Sequence, residues 1–150
     1  RQEELEYTAR TLQEISRAAI EMGKVTTGAL IVLQREVALG EYERTGIPID
    51  AKVSSQLLIN IFEHNTPLHD GAVIISRGRI TAAACILPLA EAKGQNFGTR
   101  HRAALGIARE SDALVIVVSE ERGEISVAFK GEFMRALDAT RLRQVLDEIL

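Results

Sequence analysis

Residues 72–87 read AVIISRGRITAAACIL, two apolar runs separated by Arg77-Gly78. Branched residues such as Val73, Ile74, Ile75 and Ile80 favour extended chain, and a residue-glycine pair between two such runs signals a tight turn. The stretch therefore predicts adjacent strands over 72–76 and 79–87, paired as a hairpin. Outward from it, GALIVL at 28–33 reads as a short buried strand. ALVIVV at 113–118 and EISVAF at 124–129 make a second strand pair, turning near Arg122-Gly123.

Helical spacing frames these strands. Leu5, Ala9, Leu12, Ile15, Ala19 and Met22 recur every three or four residues, with Glu3, Glu4 and Glu6 near the positive end of the helix dipole. The pattern predicts an N-terminal amphipathic helix over 1–23, stopped by Gly23. Helices are also expected over 53–62, with Ser54-Ser55 at its start, from a Thr99 cap through Arg109, and over 133–150 with a break near Thr140. Gly40, Gly46 and Pro48 suit a surface excursion, and Gly94 to Gly98 a second loop. Interleaved helices and strands, several strands continuously apolar, predict an α/β fold. The hairpins make its central sheet mixed, with helices on both faces, in a single domain spanning 1–150.

Composition narrows the function. The chain has 150 residues, 46% hydrophobic, with 18 Lys and Arg against 21 Asp and Glu, a net charge of −3. That balance argues against a nucleic-acid polymer as partner, because a broad basic surface is lacking. Any polyanion must meet a local positive site. No apolar run approaches the roughly 20 residues of a membrane helix. Cys85 is the single cysteine, so no internal disulfide forms. Its apolar neighbours make it a core thiol. The chain opens on Arg1 without an initiator methionine, which fits a fragment or processed form.

Two stretches carry chemistry. In Leu68-His69-Asp70-Gly71-Ala72 a carboxylate stands at the mouth of a strand, followed by residues small enough for close ligand approach. Asp70 could orient or deprotonate a hydroxyl, or hold a divalent cation. The plainer alternative is a common Asp-Gly turn. In Gly98-Thr99-Arg100-His101-Arg102, basic residues occupy a helix start, where they oppose the dipole. Free backbone N–H groups and guanidinium groups there make an anion site, and phosphate is the expected ligand. The alternative is a solvated basic turn. Together with Arg109, this segment concentrates positive charge within ten residues, as a pocket for a small polyanion would. His64, His69 and Asp70 match no zinc pattern, yet could hold a divalent ion shared with substrate phosphates. Ser119 and Glu120, at the end of a buried strand, are further candidates for ligand contact or a solvated turn.

The run from Asn65 to Ile75, NTPLHDGAVII, and the run from Gly98 to Ala104, GTRHRAA, resemble the DGA and RHR signatures of diadenylate cyclase domains. Their order and spacing agree, as do the 28–32 strand, the 46–50 loop and Leu87-Pro88-Leu89. The likeness runs from about Tyr7 to the last helix and is greatest to the membrane-anchored CdaA branch. It implies condensation of two ATP into cyclic di-AMP with release of two pyrophosphates, assisted by Mg²⁺ or Mn²⁺. It assigns Asp70 to the ribose 3′-hydroxyl, Gly71 and Ala72 to the nucleotide pocket, and Leu87 to adenine through its backbone. Thr99, Arg100, His101, Arg102 and Ser119 fall on the phosphate side, and His69 near the metal. Where CdaA-type proteins often carry a tyrosine, this chain has Ile86, which removes aromatic stacking on adenine.

Two phosphodiester bonds related by symmetry require two sites, so a face-to-face homodimer is expected. The resemblance further implies an N-terminal membrane anchor in the full-length protein, work at the cytoplasmic face of the cell membrane, and two partners: a membrane-bound regulator and phosphoglucosamine mutase. The alternatives are a non-catalytic module that binds nucleotide or cyclic di-AMP, and a structural α/β interaction domain.

Overall fold

The computed structural model describes residues 7–91 and 97–150. Along the chain run α1 (Ala9–Lys24), β1 (Ala29–Leu33), α2 (Gly40–Glu43), β2 (Ile47–Lys52), α3 (Ser55–Ile61) and the hairpin β3 (Ala72–Ser76) and β4 (Arg79–Cys85). Then follow α4 (Thr99–Glu110), β5 (Leu114–Val118), β6 (Ile125–Phe129), β7 (Glu132–Met134) and α5 (Ala139–Ile149). The expectations for Arg1, Glu3, Glu4, Leu5, Glu6 and Gly94 lie outside the described residues.

The strands form one mixed sheet in the order β2-β4-β3-β1-β5-β6-β7. Only β1 and β3 run parallel; the other pairs are antiparallel. Successive side chains on a strand point to opposite faces, and the two core layers follow from that alternation. Ala29, Ile31 and Leu33 face α1, α3 and α5 together with Val73, Ile75 and Ile116. Leu30 and Val32 face α4 together with Ile74, Val115 and Val117. Covering on both faces explains why β1 and β5 are buried at every position, and hence why they read as unbroken apolar runs.

Local chemistry sets the boundaries. Arg77 and Gly78, at φ +54° and +75°, place two consecutive left-handed residues between β3 and β4, the backbone of a type I′ turn. Thr8, Ser54 and Asp138 cap α1, α3 and α5 by accepting backbone N–H groups through their side chains. The start of α4 has no such bond, and its cap is Gly98, with Thr99 the first helical residue and not the expected cap.

Three further expectations are corrected. The N-terminal helix continues one residue past Gly23, and Ala9 lies on its exposed side. The excursion around Pro48 contains β2, an edge strand whose exposed positions carry no apolar alternation; Pro48 is tolerated because an edge leaves N–H positions without a ladder partner. The segment from Phe133 does not start a helix. It forms β7, three residues too short to show a period, and the last helix begins at Ala139.

Candidate active site

Strand direction brings distant residues to one end of the sheet. β1 and β3 start there, while β4 and β5, antiparallel to them, finish there. Gly28, Asp70-Gly71, Ile86-Leu87 and Ser119-Glu120 therefore converge, and α4 starts beside them.

A cleft of about 710 Å³ opens at this end, a size suited to a small organic ligand. Leu30, Leu87, Leu89 and Ala103 give it apolar walls, with Ile86 at the rim and His69, Asp70 and Gly71 on one side. Thr99, Arg100 and Glu120 line both this cleft and a more polar basin of about 370 Å³. The basin holds His101, Ser119, Arg122 and Arg135 around the uncapped start of α4. The two cavities form a mainly apolar chamber opening into a polar basin, where Arg100, Arg122 and Arg135 stand among Glu120, Glu121 and Glu124.

The backbone around the Asp-Gly pair is tightly determined. Gly71 has φ +96°, and a Cβ there would lie 2.7 Å from the Cys85 carbonyl oxygen. Across from it, Ala84 also adopts a left-handed conformation, φ +56°, at a cost of about 1–2 kcal/mol. These two residues accompany register shifts in the β3–β4 ladder that end regular pairing at the cleft. Asp70 is exposed, and among the described residues nothing bonds its carboxylate. His69 Nδ1 lies 2.7 Å from the Thr66 carbonyl oxygen. As donor to that carbonyl, the ring keeps a lone pair on Nε2, the arrangement usual for a metal-binding imidazole. His64 packs edge-on against His69, with ring centroids 5.6 Å apart. Among the described residues no group of three or more His, Cys, Asp or Glu side chains could hold a metal ion. Among the described residues such side chains thus offer any one ion two ligands at most, and a site of that kind would need water or a bound anion to complete its shell, as is common for Mg²⁺.

The basic segment divides. Arg100 enters the cleft, its Nη1 3.6 Å from Glu120 Oε2. His101 lines the basin and stacks on Phe97, with centroids 5.6 Å apart and planes 13° from parallel. Burial, seconded by the Arg135 charge, holds the His101 pKa below the ordinary 6.5. In the nucleotide-free protein the imidazole is therefore expected to titrate with a midpoint below 6.5, observable in its ring C–H resonances; a midpoint at or above 6.5 contradicts this. The sign is that of a buried neutral base. Its contribution to stability is complete above about pH 6.5 and is lost as the pH falls through the lower folded-state midpoint.

Arg102 is not brought into either cavity. Its Nε donates to the Ala90 carbonyl at 3.0 Å, and its own carbonyl accepts from Ala90 N–H at 3.0 Å, fixing the Leu87-Pro88-Leu89 segment against α4. Arg109 sits at the far end of that helix, beside Gly131. Ala72 is wholly buried and does not line the cleft. Cys85 borders the cleft, but burial pushes its thiol up to about 11, so it stays protonated at neutral pH.

Arg122 and Arg135 line the basin and Gly28 a neighbouring cavity, positions that sequence reasoning did not single out. Arg135 bonds Glu124 Oε1 at 3.0 Å, eleven residues away, and lies over the Phe97 ring, nearly forty residues away, contacts that no local pattern signals. For Gly28, a glycine directly before an apolar strand was the available signal of close approach.

The family described as DisA bacterial checkpoint controller nucleotide-binding matches residues 16–133. The cyclic di-AMP synthase CdaA of Bacillus subtilis is 49% identical over 144 residues, which is 95% of this chain and 53% of that protein. The chain thus spans about half the length of the curated relatives it matches. A crystal structure of DacA from Staphylococcus aureus, a double mutant, superposes with a TM-score of 0.90 at 44% identity, covering 93% of this chain and 95% of that one. The structure of a hypothetical membrane spanning protein from Bacillus cereus superposes with a TM-score of 0.80 at 40% identity, over 84% of this chain and 63% of that one.

Proposed function

Since the chain belongs to the DAC family of DisA-type nucleotide-binding domains, we propose that it is a diadenylate cyclase, a nucleotidyltransferase that joins two ATP into cyclic di-AMP and releases two pyrophosphates. One observation carries the reading. A carboxylate with no partner among the described residues, Asp70, lines an apolar cleft that opens past Thr99 and Arg100 into a polar basin at the start of α4.

Adenine occupies the apolar chamber against Leu87 and Leu89, and Ile86 covers one edge without stacking. Gly71 leaves the backbone open to the ribose. The triphosphate passes Thr99 and Arg100 toward Ser119, where helix N–H groups and Arg122 and Arg135 offset its charge. Asp70 accepts the proton of the 3′-hydroxyl as the oxygen bonds to the α-phosphorus of the other ATP, and the bond from that phosphorus to pyrophosphate breaks. His101, neutral, serves as a hydrogen-bonding group. His69 and Asp70 would hold a divalent cation, Mg²⁺ or Mn²⁺, which when bound offsets phosphate charge. One chain presents one such set of residues, so two chains meet face to face to close the ring.

The unit acting here is the whole of 1–150, with α1 as part of it. No helix among the described residues is long and apolar enough to cross a membrane. The likeness to a Bacillus cereus protein described as membrane spanning supports placing the activity at the cytoplasmic face of a membrane, with attachment left to segments other than those described.

Incubation with ATP and Mn²⁺, followed by chromatography, is expected to yield cyclic di-AMP and two pyrophosphates per product, at a rate per chain that rises with protein concentration. ATP binding without product would reduce the reading to a nucleotide-binding module. Turnover by a verified monomer would remove the face-to-face scheme.

A further inference from the structure

We propose that Gly28 is a positioning residue for Arg100, a glycine whose missing side chain admits the guanidinium that receives the ATP triphosphate; this rests on the nucleotide reading of the cleft. Gly28 precedes β1, and its φ is not in the left-handed region, so no backbone conformation there demands glycine. What demands it is space. An ideal Cβ would stand 2.5 Å from Arg100 Nη1, 2.6 Å from Cζ and 3.1 Å from Nε, and these are the three nearest atoms. The guanidinium occupies the room a side chain would fill.

Arg100 does not lie there for stability. Its Nε is buried without a partner, its ion pair with Glu120 is long at 3.6 Å, and its charge opposes the dipole of α4. Three unfavourable or weak features at one side chain mark a position set by something the free protein lacks. Arg100 and Glu120 line the apolar cleft, the polar basin and a third cavity of about 310 Å³ that Gly28 also borders. The glycine notch on one side and the Glu120 carboxylate on the other hold the guanidinium at that junction. Because the three atoms nearest a Cβ at 28 all belong to the end of the flexible Arg100 side chain, substitution displaces Arg100 and leaves the fold in place.

The test is a double-mutant cycle on the full chain, reading ATP affinity by calorimetry under non-turnover conditions. Gly28→Ala is expected to weaken ATP binding roughly tenfold to a hundredfold, the worth of one charge-assisted bond. The melting temperature should be unchanged. In the Arg100→Ala background the same substitution should have no further effect. Unchanged affinity in Gly28→Ala, or an equal loss in both backgrounds, overturns the proposal. Should Gly28→Ala fail to fold, the Gly28→Ala/Arg100→Ala protein must fold, since the clash has been removed; an equally unfolded double variant also overturns it. A wild-type protein that binds ATP without cyclising it refutes the cyclase reading alone, whereas an additive cycle refutes this one alone.

Discussion

Asp70→Asn is expected to lower production of cyclic di-AMP by about 10²–10⁴-fold, the range over which a positioned general base contributes. The amide matches the carboxylate in shape and cannot take the 3′-hydroxyl proton. Folding should not suffer: Asp70 is exposed and makes no bond among the described residues, so its replacement belongs with surface changes worth within about 0.5 kcal/mol. ATP binding should persist as well, because Thr99, Arg100 and the start of α4 remain in place. The measurement pairs chromatographic product formation with the thermal shift that ATP induces. Undiminished turnover in Asp70→Asn would take this residue out of the reaction, and a lost thermal shift would recast it as a binding group.

Gly106→Ala is expected to reverse a familiar rule. Alanine in a helix interior ordinarily stabilises by about 1 kcal/mol relative to glycine. Here a Cβ would lie 1.9 Å from the Pro88 carbonyl oxygen and 2.7 Å from its carbon, both main-chain atoms. The helix carries the substitution only if α4 and the Leu87-Pro88-Leu89 segment part. Overpacking of this kind costs about 2–3 kcal/mol, and for a chain this long the melting temperature should fall by about 5–10 °C. The displaced segment supplies Leu87 and Leu89 to the cleft, so ATP affinity should weaken with it. A melting temperature equal to or above the parent's would show that the segment yields freely and does not shape the pocket.

What the sequence revealed follows physical range. β1, β3 and β5 were legible because a strand buried on both faces must be apolar at nearly every position. The turn at Arg77-Gly78 and the Ser54 cap were legible because each is decided within four residues. β2 and β7 were not, since β2 is largely exposed and β7 has only three residues, so that pairing alone defines them. At the site, Asp70, Arg100 and Ser119 stood out by local chemistry, although only sheet topology explains why they meet. Arg102 stood out for the same reason, yet its guanidinium serves the Ala90 carbonyl. Gly28 and Arg100 lie far apart in sequence, and their contact could be read only in three dimensions.

The two margins of the sheet have a consequence for behaviour at high concentration. At one, β2 carries Pro48, which has no N–H to offer, and a register break before Ala51, with Asp50 turned to φ +53° and tied to Arg79 at 2.7 Å. At the other, β7 is only three residues long. Neither margin presents the straight row of unsatisfied donors and acceptors on which a second copy could extend the ladder. Open-ended polymerisation by strand addition is thereby obstructed at both borders. Copies of this chain can then meet, as the proposed pairing for catalysis requires, without offering a sheet edge that invites strand addition.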